Sequence, residues 1–204
     1  MATSNTRYHH GDLPAALVRA AVDLLEENGA AELSLRAAAR RAGVSTAAPY
    51  RHFADRDALL SAVAAVGYRD LAADLAAACP APRTPEDFTA IAVAYVEFAL
   101  NRPGLFRAMF AEPCDPSSPE RLAATTALHD YVRAIVREAF PAADEEALAT
   151  ALWSMVHGLA FLYLHGKFDA DDRTALRARV GATVRSVLGL IDRPVDRPLR
   201  APGP

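Results

Sequence analysis

Gly43-Val44-Ser45-Thr46-Ala47-Ala48-Pro49-Tyr50-Arg51-His52-Phe53 is the stretch that decides the fold. A glycine between two helical patterns marks a tight turn, because glycine takes the left-handed backbone without a Cβ penalty. Val44 follows as an apolar plug, and Ser45 can cap a new helix. That helix, Ser45 to Phe53, is short and carries Thr46, Tyr50, Arg51 and His52, all able to meet DNA. Two short helices joined in this way form a helix-turn-helix, whose second helix enters the major groove.

Helical patterns continue on both sides. Asp12 caps a first helix, with Leu13, Leu17, Ala21, Leu24 and Leu25 at helical spacing and Asn28-Gly29 as its end. Ser34 caps a second, Leu35 to Ala42. Asp55 caps a long fourth, with Leu59, Leu60, Val63, Val66, Leu71 and Leu75 as its apolar stripe. Cys79-Pro80-Ala81-Pro82-Arg83 is the clearest break in the chain. Thr84 and Asp87 then form a near capping box for a fifth helix with the stripe Phe88, Ile91, Tyr95, Phe98. Pro103, Ser118-Pro119, Asp144 and Asp171 or Asp172 open four more. No β-alternation appears. The expectation is an all-α protein of about nine helices. Residues 1–58 are an arm and a three-helix DNA-binding domain, residues 59–191 a larger ligand-binding and dimerisation domain, and residues 192–204 a Pro- and Arg-rich tail without a fold.

Composition narrows the class. The 204 residues are 52% hydrophobic and 23% charged, with a net charge of -3, so the chain as a whole is not basic. The charge is unevenly spread, however. From Ser34 to Phe53 the charged residues are Arg36, Arg40, Arg41 and Arg51, with no acid among them. Such an island can track phosphates inside an acidic protein. No apolar run is read as reaching the length needed to span a bilayer without a charge, and the polar N-terminus has no signal core. A cytoplasmic protein with no membrane partner is expected. Cys79 and Cys114, far apart and without CxxC spacing, read as structural thiols. His129, His157 and His165 have no metal-ligand spacing, and no phosphate loop or Ser/His/Asp arrangement stands out. No metal, no cofactor and no catalysis are expected.

If the third helix packs through Val44, Ala48 and Phe53, then Thr46, Ala47, Tyr50 and Arg51 face outward. Thr46 and Ala47 lie at the start, near base edges. Arg51 can fork onto guanine, worth about 1–3 kcal/mol of discrimination. Tyr50 and His52 suit phosphates. Ser34 and Arg56 stand at helix N-termini, which favour anions. Arg36 can reach the same groove edge. Pro49 falls about four residues after the cap, where it removes an N–H and pushes Ala48 away from the αR region. A loose or 3₁₀-like first turn is therefore expected, with Pro49 chiefly filling a small gap in the core.

The run from Tyr8 to Ala64 resembles the DNA-binding domain of the TetR family of bacterial transcriptional regulators. The matching pieces are Leu33-Ser34-Leu35-Arg36-Ala37-Ala38-Ala39-Arg40-Arg41-Ala42-Gly43-Val44-Ser45, then Tyr50-Arg51-His52-Phe53, then Asp55-Arg56-Asp57-Ala58-Leu59-Leu60. The resemblance implies a DNA-binding set of Ser34, Arg36, Ser45, Thr46, Ala47, Tyr50, Arg51, His52 and Arg56. Tyr8-His9-His10-Gly11 is similar to the N-terminal arm of many members. Downstream, Trp153, His157 and Gly158, with Asn101 to Phe110, resemble the Trp-His-Gly subset of C-terminal domains in this family.

In that second domain Trp153 and His157, four residues apart, share a helix face. Gly158 costs helix stability and suggests a close crossing or room for a ligand. Tyr95, Phe98, Met109, Phe110, His129, Trp153, His157 and Phe161 are the mixture expected of an effector pocket, although each one alone is by default a core residue rather than a ligand contact. The eighth and ninth helices carry Leu148, Leu152, Leu159, Leu162 and Leu176, Val180, Val184, Val187, Leu190, long enough for a core and a partner. The resemblance implies homodimerisation through this pair. The function expected is a sequence-specific DNA-binding regulator, a repressor released from a double-stranded operator by a small apolar or aromatic effector, with the fourth helix as lever. The alternative is a ligand-independent DNA-binding adaptor or architectural protein.

Overall fold

The computed structural model describes residues 12–191, with the side chains of the last two left out. The arm Tyr8–Gly11 and the tail 192–204 lie outside the described residues. Eight α-helices occur among the described residues, and no strand: α1 (Leu13–Asn28), α2 (Leu35–Arg41), α3 (Arg56–Ala78), α4 (Pro85–Asn101), α5 (Pro103–Phe110), α6 (Pro119–Ala139), α7 (Glu145–Leu164) and α8 (Arg173–Ile191).

The expected nine helices are eight because the segment after Gly43 is not an α-helix. It is a series of turns ending in a 3₁₀ turn, Pro49–Arg51. Pro49 has no N–H to give to the Ser45 carbonyl, so the α-ladder cannot start there. The Ser45 carbonyl instead accepts from Ala48 at 3.0 Å, a three-residue closure. Ser45 therefore caps no α-helix. Ala48 also corrects the expectation, for it sits at φ -62°, ψ -41°, within αR. The turn that carries it outweighs the steric bias before proline.

The other helix starts follow their caps. Asp12 accepts from the N–H of Ala15, Ser34 from Ala37, Asp55 from Ala58 and Asp144 from Ala147, at 2.9–3.2 Å. Thr84 and Asp87 cap each other's backbone N–H groups, as the sequence pattern requires. Asp172, rather than Asp171, caps α8.

The chain divides into two compact units that do not follow chain order. One joins Met1–Ala72 to Arg102–Asp130, the other Ala73–Asn101 to Tyr131–Pro204. In the first, Leu17, Ala21 and Leu25 of α1, Ala38 and Ala39 of α2, Leu59, Leu60 and Val63 of α3 and Leu105, Phe106 and Met109 of α5 are buried. Gly104 lets the α5 backbone close on α1, since a Cβ there would lie 2.3 Å from the Leu25 carbonyl oxygen. Glu26 completes that junction. Its carboxylate accepts from the N–H groups of Gly104 and Leu105, both at 3.0 Å, at the positive end of α5. Arg102, just ahead of α5, pairs with Asp70 of α3.

In the second unit α4, α7 and α8 pack around Phe88, Val96, Leu152, Leu159, Leu176 and Val180, with Val136 of α6. One sequence expectation fails here. Residues 147–164 of α7 carry no Asp, Glu, Lys or Arg, so this helix is long and apolar enough to cross a membrane by length and composition. Its sidedness identifies it as a core helix: Leu148, Ala149, Leu152, Leu159, Ala160 and Tyr163 are buried in the unit, while Ala151, Ser154 and Gly158 are exposed. Cys79 and Cys114 are free thiols.

Candidate functional site

The turn between α2 and the Pro49 segment is built by hydrogen bonding. Gly43 takes φ 71°, its N–H donates to the Arg40 carbonyl, and the Val44 N–H reaches back to the Ala39 carbonyl at 3.0 Å. This paired closure satisfies carbonyls that the end of α2 would otherwise leave open. Pro49 and Phe53 are buried and Val44 and Ala48 half-buried, so these four anchor the segment. The buried Pro49 ring fits the reading of a gap filler.

Against that anchor the remaining side chains point to solvent. Ser34, Arg36, Ser45, Thr46, Ala47, Tyr50, Arg51 and His52 are all exposed, Tyr50 at 52%. An exposed tyrosine of that degree is a large apolar surface left in water, which favours a partner. The N–H of His52 and that of Phe53 both donate to the Pro49 carbonyl at 2.9 Å, which fixes how Tyr50 and Arg51 leave the turn.

Electrostatics divides the basic island. Arg41 forms a two-pronged pair with Glu27 of α1, one prong at 2.8 Å. That pairing holds the Glu27 carboxyl below and the Arg41 guanidinium above their ordinary values. Arg36, Arg40 and Arg51 are exposed and have no acidic partner among the described residues. Three positive groups therefore remain for phosphates or bases.

Arg56 opens α3, at the helix N-terminus where the sequence reading placed it. Its guanidinium turns inward, donating to the Ala30 carbonyl at 2.9 Å and the Leu33 carbonyl at 3.2 Å, with Glu112 at 3.4 Å. Two carbonyls and a carboxylate use most of its donor fork, so the side chain braces the start of α2. What stays suited to an anion there is the capped N-terminus of α3, not the guanidinium. The chain gave no warning of this, because the carbonyls belong to residues without a motif.

The eight effector candidates fall into both compact units. Tyr95, Phe98, Trp153, His157 and Phe161 belong to the second; Met109, Phe110 and His129 belong to the first. In the second unit the buried Tyr95 hydroxyl joins two of them. It accepts from Trp153 Nε1 at 3.2 Å and lies 2.9 Å from His157 Nδ1. An indole only donates, so the Tyr95 hydroxyl is used as both acceptor and donor when its proton goes to Nδ1 and the ring proton of His157 sits on Nε2. Burial lowers the His157 pKa, which agrees with a neutral ring. Phe161 stands edge-on to that ring at 4.8 Å. Gly158 shows no close crossing within the protomer, since a Cβ there meets nothing within 4 Å. In the first unit Met109 is buried, Phe110 packs edge-on against Tyr68, and His129 is exposed.

A feature that no motif announced is a cleft of about 990 Å³ in the first unit. Val18, Arg19 and Val22 of α1, Phe53, and Val66 and Arg69 of α3 line it. None of the effector candidates does. Small and apolar residues on facing helices are the only sequence signal for it, and they read equally as core.

Residues 17–63 match the family model described as bacterial regulatory proteins, tetR family. Residues 88–190 match a second, described as tetracyclin repressor-like, C-terminal domain. Among solved structures, a protein of unknown function from Rhodococcus sp. RHA1 is 35% identical, with 89% of this chain and 98% of that chain covered and a TM-score of 0.74. A tetR-family regulatory protein from Rhodococcus RHA1 is 22% identical over 85% and 96% of the two chains, with a TM-score of 0.63. The fatty acid degradation regulator FadR from Bacillus halodurans, at 14% identity, shares the fold with a TM-score of 0.68 over 89% and 97%. No curated protein sequence matches.

Proposed function

Because this chain belongs to the TetR family of bacterial regulatory proteins, and so is a DNA-binding transcriptional regulator, we propose that it is a cytoplasmic repressor. It binds an operator as a homodimer and leaves it when a small apolar or aromatic effector binds. The observation that carries this reading is the exposed, acid-free turn: Thr46, Ala47, Tyr50 and Arg51 stand clear of a buried Pro49–Phe53 anchor, flanked by Arg36 and Arg40. Arg51 and Arg36 read bases. Ser34, Ser45, Tyr50, His52 and the N-terminus of α3 at Arg56 set the phosphate register.

Dimerisation is needed on physical grounds. One short reading segment contacts few bases, and two half-sites about one DNA turn apart multiply the discrimination. The exposed faces of α7 and α8 support this pair as the interface. Ala147, Ala151, Ser154, Gly158 and Leu162 face outward on α7, and Ala175, Ala178, Ala182 and Ser186 on α8. Small side chains let helices approach closely. The effector shifts the population between dimer states that hold the two reading segments at different separations, and only a differential affinity can do so. The Tyr95–Trp153–His157 group supplies the polar anchors in the second unit. Their mutual satisfaction is the one observation that favours an effector-independent adaptor instead.

The test is operator selection in vitro followed by binding of Arg51→Ala and Tyr50→Ala. Arg51→Ala weakens the selected site by about 1–3 kcal/mol and relaxes one base position. Tyr50→Ala weakens all sequences alike. Full, sequence-specific affinity in both variants would remove the groove assignment.

A further inference from the structure

The cleft of about 990 Å³ between α1 and α3 has an apolar floor. Val18, Phe53 and Ala65 are buried in it, and Val22, Ala62 and Val66 half-buried. The two helices run along it in the same direction. The end of α1 meets α5 through Glu26 on Gly104, and Asp70 of α3 meets Arg102 just ahead of α5. The opposite end therefore gathers Asp12, His52 and Ala58 with the loop at Asp115, whose carbonyl accepts from Ser61 at 3.3 Å.

Charge is divided between these ends. Asp12, Asp115 and Glu120 line the first. Asp12 and Asp115 each use one carboxylate oxygen, on Ala15 and on Ser117, and Glu120 accepts from the Ser118 hydroxyl at 3.4 Å. None of the three is in an ion pair among the described residues. At the second end Arg102 is paired with Asp70, and Asp23 adds to the field around Arg41. Arg19, one turn before Asp23, and Arg69, beside Asp70, are exposed and have no acidic partner among the described residues. Two open guanidinium forks and three half-used carboxylates thus line one concave volume.

A volume of this size is at the upper end of the range of about 300–1,000 Å³ for small-molecule sites. The carboxylates at one end disfavour a simple anion, and the arginines at the other disfavour a simple cation. An occupant with both charges, one at each end, satisfies both sets. We propose that the cleft binds a linear zwitterion with an apolar middle, such as a short extended peptide. Its carboxylate lies in the forks of Arg19 and Arg69, and its ammonium lies among Asp12, Asp115 and Glu120. The stretch of α3 from Ala58 to Arg69 is about 16 Å long, a span of about four extended residues. The site lies wholly in the first unit and is independent of the effector reading, whose Tyr95–Trp153–His157 group belongs to the second. His52 and Phe53 line it, so an occupant lies against the segment that carries Tyr50 and Arg51.

The experiment titrates the full-length protein by calorimetry with tetraalanine, its N-acetyl derivative and its C-terminal amide. Acetylation removes the cation and amidation the anion. A zwitterion without peptide bonds, ω-aminodecanoic acid, is run beside them. The wild type binds tetraalanine, and loss of either charge weakens binding about tenfold or more. Arg19→Gln combined with Arg69→Gln abolishes the preference for the acid over the amide and keeps the preference for the free over the acetylated N-terminus. Glu120→Gln reduces the second preference and keeps the first. All three side chains are exposed, so both variants melt with the wild type. Binding of tetraalanine alone assigns the cleft to peptides, and binding of ω-aminodecanoic acid as well assigns it to linear zwitterions at large. Failure of both zwitterions to bind, equal binding of the three peptides, or charge preferences that survive in the variants overturns the site.

Discussion

Gly104→Ala is the substitution whose cost the structure fixes most directly. Gly104 is the second residue of α5, and its Cβ would lie 2.3 Å from the carbonyl oxygen of Leu25, 2.6 Å from its carbonyl carbon and 2.9 Å from the nitrogen of Glu26. All three are backbone atoms, which cannot rotate away. Ordinary contact needs about 3.5 Å, so α1 and α5 must part by about 1 Å. That motion stretches the two 3.0 Å bonds from Gly104 and Leu105 to Glu26 beyond hydrogen-bond range. Overpacking costs about 1–3 kcal/mol. The lost charge-assisted bonds add about 1.5 kcal/mol, the low end of their range because Glu26 is exposed. The sum is about 2.5–4.5 kcal/mol, a fall of about 5–18 °C in Tm for a chain of this size. Urea unfolding with an unchanged m-value measures it. Glu26→Gln, which keeps one carbonyl acceptor, should cost about 1 kcal/mol. If Gly104→Ala lay within about 0.5 kcal/mol of the wild type, the close approach of α1 and α5 would be refuted.

Two further outcomes follow from the second unit. Burial holds the His157 pKa below its ordinary 6.5, so the fold prefers the neutral ring. The contribution of His157 is therefore intact above pH 6.5 and is lost as the pH falls through 6.5 towards the folded-state value, because the unfolded chain takes the proton first. Stability measured from pH 8 downward should lose this component in His157→Gln; identical pH profiles for the two proteins would contradict the buried, Tyr95-bonded ring. Gly158→Ala tests the α7 face: a methyl there meets nothing within the protomer and raises helix propensity by about 1 kcal/mol. Sedimentation over a concentration series should nonetheless show a dimer weakened by about 1–3 kcal/mol, through overpacking against the second copy. An unchanged or tighter dimer would move the interface elsewhere.

Much of the fold was legible because local chemistry fixes it. Asp12, Ser34, Asp55 and Asp144 cap the helices their spacing announces, and Gly43 takes the left-handed turn that opened the reading. What the sequence hid is tertiary. The partition of α5 with α1 and α3, and of α4 with α7 and α8, depends on contacts far apart in the chain, such as Glu26 on Gly104. Arg56 and Arg41 looked alike as surface cations, yet one braces carbonyls and the other closes on Glu27. Nothing in their neighbours along the chain distinguishes them from Arg36 or Arg51. The uncharged run in α7 misled in the same way, since only its sidedness marks it as a core helix.

Pro49 shows how a local residue can set the limits of a functional surface. In an α-helix from Ser45 to Phe53, Thr46 and Tyr50 would stand on one face four residues apart. The 3₁₀ closure at Pro49–Arg51 instead turns through three residues per turn. Tyr50, Arg51 and His52 then leave the backbone about 120° apart, so the three cannot all enter one groove. With Phe53 and Pro49 buried beneath them, the proposed division of roles gives Arg51 the base edges and leaves Tyr50 and His52 for the phosphates on either side. On that proposal, sequence choice in each half-site rests on Arg51, with Thr46 and Ala47 ahead of it and Arg36 from α2. That is a small reading set, and it is the physical ground on which a second protomer is proposed.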